Sequence, residues 1–339
     1  MDPVTQAVFG ATAALIVRPK NQSPKAALLL GVAAGMAPDL DVLIRSSHDP
    51  LLHIEYHRHF THSLFFVPIG ALMVAAGLWW LLKRFSAWEL GSFRGWWGVA
   101  CLAMLTHAPL DMGTSYGTSF LWPFSDARLD WSVVAVIDPL VTLPMIVALI
   151  IGWKRRSEWL YSVAAVYAVA YLCLGWAHRL HAESEIAEIA QQRGHQPVFI
   201  QAKPALFVNF LWRTIYVYDG SYYVDAVRLK WFDESVVYEG DSVAVYSPEA
   251  DRLGLAPDSQ QFKDIQRFEH FSQTMLYQVP GDPFLVSDIR YSKIPNSIEP
   301  LWAIRIDPTI SDAHVEYINF RDVTDDMKQQ FWMMIKGER

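Results

Sequence analysis

The chain has 339 residues, 52% hydrophobic and only 19% charged, with a mean hydropathy of +0.15, which excludes a disordered chain or a single small module and points to a membrane protein with a soluble part. A net charge of −7 leaves no broad basic surface for a phosphate backbone, so nucleic acid is excluded as a lasting partner. Cys101 and Cys173 both sit in apolar runs, which excludes a disulfide framework and a Cys-based zinc site; any metal must use His and carboxylate.

Two short apolar segments come first, residues 4–17 and 26–44. The first is about 21 Å long as a helix, short of the hydrocarbon thickness, and the pair is predicted to be re-entrant. Asp2 stands where a signal peptide would carry positive charge, so no cleavage is expected. Residues 63–82, 96–111, 133–152 and 158–177 are long and apolar enough to read as membrane spans. A polar helix, HRLHAESEIAEIAQQRG, leaves the last of them. From about residue 196 the pattern changes to period-two alternation, with Asp219-Gly220 as a hairpin turn between two β-rich runs. A helix over about Ser259 to Leu276, strands around 283–306 and a terminal helix from about Thr324 complete the reading. The predicted fold is an α-helical integral membrane domain, residues 1–180, followed by a soluble α+β, β-rich extracytoplasmic domain, residues 181–339.

Orientation follows from the short loops, because cytoplasmic loops collect Lys and Arg. One set of loops carries Arg18, Lys20, Lys25, Lys83, Arg84, Arg94, Lys154, Arg155 and Arg156; the other carries only Arg45, Arg58 and Arg128. The first set is therefore assigned to the cytoplasm, and residues 178–339 face outward. In a bacterium with two membranes this makes the chain a multi-pass inner-membrane protein with a periplasmic domain.

The unusual polar residues all fall on the outward side of that topology. Asp39 and Asp41 follow the helix-breaking Pro38; two carboxylates so close repel unless a cation or proton neutralises one. A His-rich loop follows, HDPLLHIEYHRHFTHS, from which His57 and His62 are selected, with Thr61 as an N-cap for the span after it. HIEYH is not a zincin signature. His107 and Asp111 are four apart on a predicted helix and so share a face, a ligand pair or a hydrogen-bonded helix end. Asp138 is placed about 9 Å along a helix from Val133, where an uncompensated charge is costly. Arg58 and Arg128 are candidates to fork onto an anionic group, Arg128 equally a headgroup contact. His178 and His181 are assigned to the membrane interface.

A divalent cation held by neutral imidazoles and carboxylates acidifies water and offers a Lewis acid to a phosphoryl or acyl oxygen. The expected metal ligands are Asp39, Asp41, His57, His62, His107 and Asp111, with Asp41, Arg58 and Asp138 in catalytic roles and zinc, or manganese, as the cofactor. MDPVTQAVFGA, APDLD, HRHFTHS, HAPLD with the following YGT and WPFS, and IDP together resemble a bacterial and archaeal family of inner-membrane metal-dependent hydrolases, often labelled YdjM-like. The resemblance covers about residues 1–180. It implies a helical His/Asp metal site of the kind found in zinc-dependent phospholipase C and the zinc single-strand nucleases, and it carries over to Asp39, Asp41, His57, Arg58, Thr61, His62, Ser63, His107, Asp111 and Asp138.

The reading expected to fit best is a membrane-bound hydrolase cleaving an ester or phosphoester of a lipid or envelope metabolite, with membrane lipids as its surroundings. Two others compete. One is a non-enzymatic envelope protein with a structural metal and a partner-binding β-rich domain; the other is ion transport through Asp138, which lacks a ladder of acids across the bilayer.

Overall fold

The computed structural model describes residues 1–86, 88–230 and 234–338. They divide into two compact units: one of Met1–Leu43, Tyr56–Trp176 and Leu206–Val208, and one of Ile44–Glu55, Ala177–Ala205 and Asn209–Arg339.

The first unit is helical; two of the helices described with it, Leu52–Tyr56 and Trp159–Gln192, are shared with the second unit, which holds residues 52–55 and 177–192. Asp2 caps α1 (Pro3–Val17) by accepting from the backbone N–H groups of Val4 and Thr5, and α2 (Pro24–Met36) starts on a proline at its first position. Pro38 has no N–H to continue the α-helix, and the chain runs on as a 3-10 turn, Ala37–Leu43. A short helix α3 (Leu52–Tyr56) and a 3-10 turn Phe60–His62 lead to α4 (Val67–Phe85), whose closing Lys83 and Arg84 suit the negative end of its dipole. Then come α5 (Phe93–Leu105), α6 (His107–Met112), α7 (Pro139–Arg155) and α8 (Trp159–Gln192). The core between α2, α4 and α5 is built on Leu30, Ala34, Ala71, Trp96 and Met104.

Among the described residues, three helices are long and apolar enough to cross a membrane: Pro24–Leu43, Val67–Phe85 and Trp159–Gln192. The first overlaps residues 26–44, expected from sequence to be half of a re-entrant pair; with its 3-10 extension it reaches 20 residues. Conversely, two expected spans are interrupted. The run 96–111 breaks at Thr106 between α5 and α6, because Pro109 cannot donate to the carbonyl of Leu105 and its ring crowds it. The run 133–152 becomes helical only at Pro139, which occupies the first position of α7 instead of kinking a longer helix.

The second unit is α+β. Antiparallel strands β1 (Phe199–Pro204), β2 (Leu211–Tyr218), β3 (Ser221–Arg228) and β4 (Val236–Tyr238) lie in that order, with β5 (Ser242–Ala244) also on β3. Asp219 and Gly220 both have positive φ, 46° and 69°, and close the β2–β3 hairpin with Tyr218 opposite Ser221, as a two-residue turn requires. Helix α9 (Gln260–Phe271) is capped by Ser259. A second antiparallel sheet follows, β6 (Leu276–Gln278), β7 (Leu285–Asp288), β8 (Trp302–Arg305) and β9 (Glu316–Asn319), and then α10 (Asp325–Lys336), capped by Thr324. His178 Nδ1 bonds the Asn209 carbonyl at 2.8 Å and His181 Nε2 meets Glu185 at 3.1 Å.

Candidate metal centre

The close approach of α1 and α2 sets the geometry. A methyl group at Gly35 would lie 2.7 Å from the Gln6 carbonyl oxygen and 3.0 Å from Gly10 Cα, so only glycine lets these backbones meet. As a result Gln6 Nε2 reaches Asp111 Oδ1 at 3.0 Å, and the Gly35 carbonyl accepts from His107 Nδ1 at 2.5 Å. On α6, His107 and Asp111 sit one turn apart on the same face, as their spacing implies.

Asp39, His62, His107 and Asp111 each present a ligand atom, all within 4.8 Å of one another; Asp39, Asp41 and His57 form a second such group. Asp39 belongs to both. His107 is held by Gly35 through Nδ1, which leaves its Nε2 to the centre. His62 Nδ1 faces Asp41 Oδ2 at 3.2 Å and Thr61 Oγ1 at 3.0 Å, which likewise turns Nε2 inward. The two Nε2 atoms are 2.9 Å apart, and Asp111 Oδ2 lies 3.1 and 3.2 Å from them, buried and without a hydrogen-bond donor of its own. Facing lone pairs and an orphaned carboxylate oxygen need a positive charge between them, and this donor set fits a divalent cation. Burial lowers the pKa of His62, but the surrounding carboxylates of Asp111, Asp39 and Asp41 outweigh this and push it up to about 10.

Asp41 is saturated. Its Oδ1 meets His57 Nδ1 at 2.9 Å, and its Oδ2 accepts from the Arg58 backbone N–H at 2.9 Å and Thr61 Oγ1 at 3.0 Å besides facing His62. It therefore orients both imidazoles, the arrangement by which a carboxylate fixes the tautomer of a ligating His. Thr61 is not the N-cap expected from the sequence: α4 starts six residues later with Phe66 before it, and the hydroxyl goes to Asp41 instead. The side chains of His62, His107, Asp41 and Asp111 are 0% exposed and that of Asp39 is 20% exposed, so the centre opens at Asp39.

Arg58 and Arg128, expected from sequence as an anion clamp, are both buried and turn their guanidinium groups toward protein partners. Arg58 is 3% exposed; its Nη1 donates to Thr114 Oγ1 at 2.7 Å and its Nη2 lies 3.3 Å from Asp111 Oδ1. The Met1 amino group pairs with the same oxygen. Arg128 Nη2 holds the carbonyls of His57 and Gly117, each at 3.1 Å. Both guanidinium groups lie over the Tyr116 ring, 4.9 and 5.5 Å from its centroid. Asp138 differs from expectation in its position relative to the helix. It is the N-cap of α7, not a residue within a span, and its carboxylate accepts from the Leu140 N–H at 3.0 Å and the Tyr171 hydroxyl at 2.7 Å, outside both groups of ligand atoms.

Gln6, Gly35, Thr114 and Tyr116 escaped the sequence reading of the site. Gln6 lies in MDPVTQAVFGA and Tyr116 in the YGT after HAPLD, so the signal was present in the motifs but carried no ligand chemistry of its own.

Residues 1–182 match the model of the YdjM inner membrane protein family. The chain is 26% identical over 163 residues to the uncharacterized protein YfhP of Bacillus subtilis (strain 168), a match covering 46% of this chain and 48% of that protein. It is 33% identical over 118 residues to the inner membrane protein YbcI of Escherichia coli (strain K12), covering 33% of this chain and 64% of that one. The chain thus spans about half the length of the first relative and less than two thirds of the second. No solved structure matches it significantly. With more than half of its length matched, every candidate ligand included, the chain belongs to the YdjM inner membrane protein family.

Proposed function

We propose that the protein is a membrane-bound, metal-dependent hydrolase acting on an ester or phosphoester of a lipid or envelope metabolite. The observation that carries this reading is the convergence of His62 Nε2, His107 Nε2 and the donorless Asp111 Oδ2. Asp39, His62, His107 and Asp111 would hold one cation, and Asp39, Asp41 and His57 surround a second position. The mixed imidazole and carboxylate set favours zinc, with manganese as the alternative. When bound, such a cation supplies Lewis acidity toward a phosphoryl or acyl oxygen and acidifies water toward neutral pH.

The chain's own residues do the rest. Gly35 and Asp41 fix the two imidazoles, Arg58 and Gln6 fix Asp111, and Asp39 lies on the open side of the centre. The Lys/Arg bias of the loops supports putting the centre and residues 178–339 on the periplasmic side of a multi-pass inner-membrane protein.

The test is turnover of phosphodiester, phosphomonoester and phospholipid substrates by zinc-loaded and manganese-loaded protein in detergent, beside Asp111→Ala. Turnover that falls at least about 100-fold in the variant is expected, a first ligand mattering no less than its supporting groups. Metal-loaded wild type inert toward every ester class would instead favour a structural metal beside a partner-binding β-rich domain.

A further inference from the structure

A second site is built at the other end of the first unit. Gln6, bonded to Asp111, lies near the start of α1, and Arg18 lies just beyond its end, about 18 Å further along the axis. Around Arg18 a cavity of about 650 Å³ is lined by Arg18, Lys25, Arg156 and a single carboxylate, Glu158, together with Trp88, Trp153 and Tyr161. Arg18 pairs with Glu158, so the charge of Lys25 and Arg156, both exposed, is not offset within the cavity.

Trp153 also lines a second cavity, of about 500 Å³, a groove between α1, α2 and α7. Its wall is apolar from Val4 through Ala7 and Ala11 to Leu15 on α1, with Leu28 on α2 and Ile150 on α7 facing it. The small side chains of Ala7 and Ala11 open the slot. Its volume lies in the usual range for ligand pockets, and from Val4 to Leu15 it runs about 16 Å along α1.

A cationic, aromatic-rimmed cleft that shares Trp153 with a long apolar slot matches an amphiphile, not a free ion. We infer that the Arg18–Lys25–Arg156 cleft and the groove between α1, α2 and α7 together bind one anionic phospholipid, its phosphate against the cations and one acyl chain in the slot. Arg and Lys suit phosphate oxygens, Trp and Tyr suit the headgroup level, and basic pockets between membrane helices on the Lys/Arg-rich side are built for anionic headgroups. This site is separate from the metal centre and does not depend on catalysis.

The experiment is native mass spectrometry of the full chain in neutral detergent, titrated with dioleoyl phosphatidylglycerol, dioleoyl phosphatidylcholine or inorganic phosphate. Wild type is expected to retain one phosphatidylglycerol in preference to phosphatidylcholine by about tenfold or more. Lys25→Gln/Arg156→Gln, both changes at the surface, should remove that preference while leaving metal content and thermal midpoint as in wild type. Ala7→Phe should weaken phosphatidylglycerol binding by filling the slot. Equal retention of the two lipids by wild type, or an unchanged preference in the double variant, would overturn the proposal. So would inorganic phosphate displacing the lipid with Ala7→Phe without effect, which would mark a simple anion site.

Discussion

Nδ1 of His107, on α6, donates to the carbonyl oxygen of Gly35, in the last turn of α2, at 2.5 Å. A side chain aimed at the centre is therefore held by a backbone carbonyl left open at the end of α2, beside the close approach of α1 and α2 at Gly10 and Gly35. Helix packing and ligand geometry are one feature here, and a change in the first must appear in the second.

Gly35→Ala should separate the helix pair, since the new methyl group would press on the Gln6 carbonyl. A loss of about 1–3 kcal/mol in stability is expected from overpacking, with metal affinity down about 10–100-fold through the displaced His107 support. Thermal melts and a zinc titration of the same preparation read both.

Asp41→Asn keeps the size of the group but cannot serve His57, His62, Thr61 and the Arg58 N–H together. Metal affinity should fall by about 10–100-fold, with binding still measurable, whereas His62→Ala should abolish it at the same concentrations. Loss as complete in Asp41→Asn as in His62→Ala would make Asp41 a ligand of the first cation.

Arg58 has φ +62° and pairs with the fully buried Asp111. Arg58→Ala should cost about 3 kcal/mol or more by leaving that carboxylate less compensated. Arg58→Gly should be somewhat less damaging, because glycine adopts positive φ without strain. Denaturant midpoints for the two variants decide whether backbone conformation contributes beside the charge.

Asp138→Ala should leave metal content at the wild-type level and cost roughly 0.5–2 kcal/mol through loss of the α7 cap. Metal analysis and melting together test this. A variant that melted normally but lost its metal would return Asp138 to the site.

In the second unit, Arg267 joins Asp49, Glu55 and Asp264 at 2.8, 2.5 and 2.9 Å, which ties segment 44–55 to α9. Burial alone raises the pKa of Asp49, but its hydrogen bonds to Arg267 outweigh this and hold the carboxyl below its usual range. A carboxylate depressed in the folded state stabilises it above the unfolded value, about 3.9, and the contribution fades as the pH falls through the folded value. Protection factors for hydrogen exchange across residues 44–55, taken against the intrinsic rate at each pH, should therefore fall at acid pH, and Arg267→Ala should show the lower protection already at neutral pH.

The sequence exposed the ligands better than their supports. Asp39, His62, His107 and Asp111 could be singled out because ionisable residues in apolar surroundings are conspicuous and an i, i+4 spacing fixes a shared face. The Gly35 carbonyl has no signature in the sequence, since every residue carries one; its role appears only when two helices pack through glycines. Asp138 was misplaced for a different reason: a proline inside an apolar run can kink a helix or begin one, and hydropathy does not separate the two. The β2–β3 hairpin was legible in full, because Asp-Gly between β-rich runs specifies both turn and register.

The most direct test of the metal centre is elemental analysis of detergent-purified wild type beside His107→Ala/Asp111→Ala. One or more zinc or manganese ions per chain in wild type, lost in the variant, is the expected result. Wild type still metal-free after incubation with either cation, or a variant that kept its full complement, would contradict a metal centre at these residues.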